Sequence, residues 1–256
     1  NVIGLEDVQQ VGAKYIQQSG DWNIQAGYYL RPAWQGKGTS KGVTYSSVIS
    51  EADSYVGDGS NNQERNTVVV RVAKALELGN WKSEVGLSGL TSTLENKDTN
   101  DDGRRNAVAI HYLGKNGPWG VQLQAARQQM SPRNPGTNSV VTLGGYDGTF
   151  NVASRGNLYV ADLSYDVGGK YLFDQVSGVK LYANYSAFDK SESQFKTSQR
   201  VILGTSFSVS KLWVATEWLI GKNDPYIGGS SYTESLGAGG SNQWENQLYM
   251  NIGYYF

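Results

Sequence analysis

The sequence predicts an all-β fold, and three observations carry that prediction. Helical periodicity is almost absent, whereas runs of alternating polar and apolar residues recur along the chain. The 256 residues include 32 glycines, 17 tyrosines and 7 tryptophans, which is typical of many strands joined by turns. The connections between the runs are alternately short and long. No stretch comes near the roughly 20 consecutive apolar residues that a transmembrane helix needs.

Eleven alternating segments are predicted to be strands, spaced roughly twenty residues apart. In the last of them Leu248, Met250 and Ile252 share one face, whereas Gln247 and Asn251 lie on the other. The segments are Val11–Gln18, Trp22–Arg31, Asn66–Leu78, Trp81–Leu94, Arg105–Leu113, Trp119–Gln128, Asn157–Val167, Val179–Ala187, Gln199–Ser208, Leu212–Lys222 and Trp244–Phe256.

The lengths of the connections indicate how these strands are arranged. Short turns lie at 19–21, 79–80, 115–118, 168–178 and 210–211. Long polar loops cover Pro32–Gln63, Ser131–Gly156 and Asn223–Ser241. Tight turns at one end and long loops at the other are typical of a transmembrane antiparallel β-barrel of the outer-membrane type.

The positions of the tryptophans indicate which face of the strands meets a membrane. Trp22, Trp81, Trp119 and Trp213 each follow a short turn, which predicts an aromatic girdle at one level of the sheet, at a membrane surface. The apolar faces of the strands then contact lipid, and the polar faces line a lumen. A soluble β-sandwich with its apolar faces turned inward is the alternative fold, and it would serve as a binding module.

Composition limits the chemistry available to the chain. Lysine and arginine number 22 against 23 aspartates and glutamates, which argues against a nucleic-acid partner. The absence of cysteine excludes disulfides, thiolate metal sites and cysteine nucleophiles. The one histidine, His111, has no GxSxG-type nucleophile elbow near it. We therefore expect no enzyme and no cofactor.

The C-terminal segment LYMNIGYYF, which ends at Phe256, and the run GKNDPYIGG at 221–229 resemble those of a Gram-negative outer-membrane porin. The likeness is to the phosphate- and carbohydrate-selective groups. The resemblance implies passive diffusion of small hydrophilic solutes, a homotrimer and a location in the bacterial outer membrane. It also implies insertion by the barrel assembly machinery and contact with outer-membrane lipid and lipopolysaccharide.

The direction of the strands raises a question of parity. If the last strand runs toward the periplasm, the turn pattern makes the first segment run the same way. Bacterial single-chain barrels have an even number of strands with both termini on the periplasmic side. We therefore expect the chain, one barrel domain over residues 1–256, to be the C-terminal part of a sixteen-strand porin without its N-terminal strands. The alternative is a twelve-strand barrel whose remaining strand is GVTYSSVIS at 42–50.

Alternation predicts which charged residues line the lumen. The set holds seven bases and three acids and favours a mild preference for anions. The alternative is a solvated wall whose charges pair with one another. The predicted pore-lining residues are Lys14, Arg31, Arg71, Lys82, Glu84, Arg105, Asp162, Lys180, Arg200 and Glu217.

The long connection Pro32–Gln63 is a candidate constriction. Unstructured loops of this length are often functional, so the loop is either folded into the pore or a plain surface loop. Folded inward, it would turn Glu51, Asp53 and Asp58 toward the basic wall.

The second function class is a barrel whose external loops act as an adhesin or receptor.

The loop DTNDDG at 98–103 resembles the start of an EF-hand calcium loop. Asp98, Asn100 and Asp102 match the spacing of its first ligands, but the twelfth position is Ala109 instead of glutamate. The sequence therefore leaves two interpretations, a weak external calcium site and an ordinary polar hairpin loop.

Overall fold

The structure, a computed structural model, describes residues 10–32, 44–146, 148–172, 174–227 and 230–255. All regular secondary structure in these residues is β-strand, and they contain no helix able to cross a membrane. The strands are β1 (Gln10–Ser19), β2 (Trp22–Pro32), β3 (Thr44–Ile49), β4 (Asn62–Leu78), β5 (Trp81–Asn96), β6 (Asp102–Asn116), β7 (Trp119–Ser131), β8 (Val140–Tyr146), β9 (Gly148–Ala153), β10 (Arg155–Asp166), β11 (Lys170–Tyr171), β12 (Val176–Lys190), β13 (Ser198–Val209), β14 (Leu212–Lys222) and β15 (Trp244–Tyr254).

The main sheet is an antiparallel meander in the order β1-β2-β4-β5-β6-β7-β10-β12-β13-β14-β15, with the short β11 pairing only with β12. Its eleven long strands coincide with the eleven predicted segments, so the prediction of an antiparallel all-β fold is confirmed. Among the described residues, β1 and β15 have no partner on their outer edges. The sheet is therefore open, and closure into a barrel is a separate question.

The two ends of the main sheet differ as predicted. Two-residue turns join β1 to β2, β4 to β5, β6 to β7 and β13 to β14, and we call this edge the turn end. Gly79 and Gly117 open two of these turns with φ of 59° and 54°, which glycine adopts without a steric penalty. The long connections lie at the opposite edge, the loop end.

One face of the main sheet is apolar and uncovered. Cross-strand partners share a face, and one such row on this face holds Ala183, Leu203 and Trp218. Leu181 is 49% exposed and Ile252 is 60% exposed. We call this the outer face and the opposite, polar one the inner face. A soluble sandwich would bury the outer face, and nothing in the described residues covers it.

The tryptophans only partly form the predicted girdle. Trp22 and Trp119 are exposed on the outer face at the turn end, and Trp81 lies on the same face. Trp213 pairs with Ser208 and Gly253, which places it on the inner face. The prediction is wrong for Trp213 because Leu212, the first residue of β14, lies on the outer face. Alternation then places the next residue, Trp213, on the inner face.

A second, three-stranded sheet in the order β3-β8-β9 packs against the inner face at the loop end. Its residues Ile49 and Phe150 join a hydrophobic cluster with Leu94, Met130 and Phe188. The last three belong to β5, β7 and β12 and point inward by register. The described core therefore lies between the small sheet and the inner face of the main sheet at its loop end.

The connection between β2 and β4 is the predicted constriction loop, and its residues 33–43 lie outside the described residues. β3 occupies the stretch that the twelve-strand alternative required, but it adds no strand to the main sheet. Ser60 N donates to Thr142 Oγ1 at 2.8 Å, which ties the loop to the small sheet.

Two of the three acids of this connection form hydrogen bonds with neutral side chains. Asp53 accepts a hydrogen bond from Thr149, and Glu51 accepts one from Gln63 at 2.9 Å. Asp58 is exposed. The small sheet takes the inner position at the loop end and engages the loop itself, and the two interpretations of the loop stay predictions.

Candidate functional site

The inner face of the main sheet carries the charged residues that the sequence singled out. A position shares its face with its cross-strand partner and with positions two residues away. By that rule the register places all ten predicted pore-lining residues on the inner face: Lys14, Arg31, Arg71, Lys82, Glu84, Arg105, Asp162, Lys180, Arg200 and Glu217. A shared polar face is what a pore wall requires.

A charged cluster crosses β4, β5 and β6 on this face. Arg71 Nη2 donates to Glu84 Oε1, and His111 Nε2 lies 3.0 Å from the same oxygen. Asn23 Oδ1 accepts from Arg71 Nη1 at 3.1 Å. The His111 ring covers Gly86, where an added Cβ would lie 2.2 Å from the ring. The cluster is largely self-neutralised, because the carboxylate of Glu84 faces a guanidinium group.

A second cluster lies nearer the loop end and includes an acid that the sequence did not single out. The Glu64 side chain is 1% exposed and accepts hydrogen bonds from Arg105 Nη1 at 3.2 Å and from Ser92 Oγ at 2.5 Å. Strict alternation from Asn66 assigns Glu64 to the outer face. The register shifts between Arg65 and Val68, where Asn66 has a φ of 53°, and this bulge turns Glu64 inward.

The inner face of β10 to β14 has acids without basic partners. Tyr182 Oη donates to Glu217 Oε1 at 2.6 Å, and its ring covers Gly204, where a Cβ would lie 2.4 Å from ring atoms. Asp162 accepts from Asn184 Nδ2 at 3.5 Å. Within the described residues neither carboxylate forms an ion pair. In the described part of the chain, the only base that acts on either carboxylate is Lys180, which acts on Asp162 without forming an ion pair with it.

At the turn end three lysines and two acids line one cavity. Lys82, Glu84, Lys115, Asp166 and Lys180 are among the residues lining this cavity of about 430 Å³. The Nζ atoms of Lys115 and Lys180 each lie 3.4 Å from an oxygen of Asp166. These side chains are largely exposed, so the pairs are weak and the lysines stay hydrated.

The full charge balance of the inner face differs from the prediction of seven bases and three acids. The register adds two bases and four acids: Lys115, Lys190, Glu64, Glu77, Asp166 and Glu245. The described strands thus carry nine inward bases and seven inward acids. Lys115, Lys190 and Glu64 lie beyond the ends of the predicted segments, and Glu64 lies past the bulge at Asn66 as well. The predicted preference for anions is correspondingly weaker.

The described part of the motif GKNDPYIGG, residues 221–227, fastens the last long connection to the sheet. Asp224 accepts from Arg200 Nε at 2.5 Å and from Nη2 at 2.6 Å, and both side chains are less than a tenth exposed. The Tyr226 ring centre lies 5.5 Å from Arg200 Cζ. Further along, the Ser235 carbonyl accepts from Lys190 Nζ at 2.6 Å. Arg200 is therefore a structural anchor whose charge is already compensated.

Glu234 lies in the same connection, outside the strands of the main sheet. Burial raises the pKa of Glu234, although Asn151 Nδ2 donates to its carboxylate at 2.9 Å and partly opposes the rise. Nearby Asp58 raises it further. An acid with a raised folded-state pKa stabilises the fold below its unfolded pKa, and that contribution is lost as pH rises through the folded value.

The structure does not assemble the candidate calcium site. Asp98 accepts two hydrogen bonds from Asn61 Nδ2, at 2.9 and 3.1 Å. Asp102 pairs with Arg65 Nη2 at 2.8 Å. The part of the chain that the structure describes holds no group of three metal-binding His, Cys, Asp or Glu side chains. Each of the two carboxylates is thus engaged by a different neighbour, Asp98 by Asn61 and Asp102 by Arg65 at the start of β6.

No known protein family, curated protein or solved structure matches the chain. The chemistry of the inner face is therefore inferred from its own residues. It offers paired charges and hydrogen-bonding side chains on regular strands, an arrangement that suits water and small hydrophilic solutes.

Proposed function

We propose that the chain forms the wall of a water-filled porin in a bacterial outer membrane, through which small hydrophilic solutes diffuse passively. One observation carries the proposal: the main sheet exposes its apolar face and turns its charged face inward. In water such an arrangement is unfavourable, because each Å² of apolar surface left exposed forgoes about 25 cal/mol. In a lipid bilayer it is the favourable one.

The direction of the strands limits how this wall can close into a barrel. Neighbouring strands are antiparallel and the long strands number eleven, so β1 and β15 run in the same direction. They cannot pair with each other in an antiparallel ladder. A second copy inserted in the same orientation presents strands of the same direction and does not pair antiparallel either. An antiparallel barrel therefore needs an odd number of strands besides these eleven, a condition that both twelve and sixteen strands meet.

The charge balance sets the expected selectivity. Nine inward bases face seven inward acids, and Arg71, Arg105 and Arg200 are already paired with carboxylates. We propose a pore with at most a slight preference for anions. The homotrimer and assembly by the barrel machinery belong to the same proposal and depend on the porin resemblance.

Conductance in a planar bilayer tests the proposal. We expect stepwise currents that scale with KCl concentration and a reversal potential close to zero in a KCl gradient. The double variant Asp162→Asn with Glu217→Gln should shift selectivity toward anions, and Lys14→Gln with Lys82→Gln should shift it toward cations. Protein that inserts without conducting would contradict the pore.

A second candidate function is favoured by one observation. The small sheet and its core fill part of the inner face at the loop end. A barrel whose lumen is blocked by the small sheet would act through its external loops as an adhesin or receptor. Silent insertion in the same bilayer experiment would support it.

A further inference from the structure

Three arginines lie on the outer face at the loop end, on three neighbouring strands. Arg104 is on β6, Arg127 on β7 and Arg155 on β10, and all three are exposed. Arg127 pairs with Val108, and Arg155 pairs with Gln129, which fixes both on the outer face. We call Arg104, Arg127 and Arg155 the rim arginines.

Among the described residues, no side chain compensates the charges of the rim arginines. Their neighbour Arg65 shows the contrast, since it pairs with Asp102 at 2.8 Å and has Glu95 at 3.7 Å. Asp189, an outer-face carboxylate on the adjacent β12, accepts a hydrogen bond from Thr197. Within the described ranges, no rim arginine has an ion pair or a side-chain hydrogen bond. Three free guanidinium groups therefore face outward together.

Their height on the wall is set by the strand. Eight residue steps separate Trp119, at the turn end of the outer face, from Arg127, or about 27 Å along the strand. A tilt of about 40° reduces this to about 20 Å along the membrane normal, close to the roughly 25 Å apolar band of such barrels. Arg127 thus lies at the upper edge of the band, and Arg104 and Arg155 lie beyond it.

We propose that the rim arginines bind the phosphate groups of a membrane lipid in the leaflet at the loop end. This inference rests on the proposed membrane location and adds a lipid site to it. Guanidinium groups bind phosphate through two parallel N–H···O bonds. By register Arg155 lies level with Gln129 and Arg104 level with Ser131, on the strand that carries Arg127, and this staggered spacing fits a headgroup with more than one phosphate. The exposed Val108 lies level with Arg127 and the exposed Tyr159 lies one pair below it, and both provide apolar surface for its acyl chains.

The test titrates detergent-solubilised protein with diphosphoryl lipid A and counts bound lipid by native mass spectrometry. We expect the triple variant Arg104→Gln, Arg127→Gln, Arg155→Gln to bind this lipid at least about tenfold more weakly. The matched control Lys74→Gln, Lys170→Gln, Lys211→Gln removes the same charge from exposed positions at the turn end and should bind as the unaltered protein does. Unchanged strand content by circular dichroism shows that both variants fold.

Three results would overturn the lipid site. One is equal binding by the triple variant, the second is equal binding of lipid A stripped of its phosphates, and the third is displacement of the lipid by inorganic phosphate at matched concentration. If the protein conducts but binds lipid without discrimination, only the lipid site is refuted. If the protein does not enter a bilayer, the proposed function is refuted as well.

Discussion

Replacing Asp224 with alanine is expected to destabilise the fold by about 3–5 kcal/mol, because it leaves the buried Arg200 guanidinium without a counter-charge. The Arg200–Asp224 pair is bidentate and almost fully buried. Its loss should release the connection 223–243 from the inner face. Thermal unfolding in detergent micelles and limited proteolysis within that connection measure the two effects.

Two controls separate this mechanism from a general loss of an ion pair. Asp102→Ala breaks the exposed pair with Arg65 and should cost no more than about 1 kcal/mol. The double variant Arg200→Met with Asp224→Leu removes both buried charges and should recover most of the stability lost in Asp224→Ala. Equal costs for Asp224→Ala and Asp102→Ala would contradict the anchoring role of the buried pair.

Replacing Leu248 with arginine is expected to destabilise the protein in a bilayer by about 2–4 kcal/mol, because the outer face meets lipid there. Leu248 is 73% exposed, so the substitution removes little packing. The adjacent Tyr249 is 45% exposed on the inner face and supplies the matched control. Reversible unfolding from lipid vesicles measures both variants.

The control fixes how this result is interpreted. Tyr249→Arg should cost little, since an inner-face side chain stays in water. Equal stability of Leu248→Arg and Tyr249→Arg in vesicles would mean that the two faces meet the same solvent, which contradicts the proposed membrane location.

The strands and their faces could be predicted from sequence because alternation is a local property of a few consecutive residues. Glu64 was missed because a bulge at Asn66 reverses alternation within one strand, and a pattern of period two does not reveal the extra residue. Trp213 was assigned to the girdle from its position after a turn, which gives its level but not its face.

The small sheet was not predicted because it depends on contacts between distant parts of the chain. Ile49 and Phe150 join the same cluster across about a hundred residues of sequence, and neither segment alone indicates the other. Three inner-face charges that were missed, Lys115, Lys190 and Glu64, lie beyond the predicted strand ends. There, pairing between neighbouring strands continues past the segments that the local pattern predicts. Residues in regular alternation were thus predictable, and those positioned by bulges, strand ends or long-range packing were not.

The central claim is that the outer face of the main sheet meets lipid and the inner face meets water. Nitroxide labelling tests it most directly, because the chain contains no cysteine. Single cysteines replace Leu181, Leu203 or Ile252 on the outer face and Lys180, Ser208 or Asn251 on the inner face, and the labelled proteins are reconstituted in vesicles. The account predicts that outer labels are relaxed by oxygen dissolved in lipid and inner labels by a water-soluble nickel chelate. Outer labels relaxed by the chelate, together with inner labels shielded from it, would contradict the account.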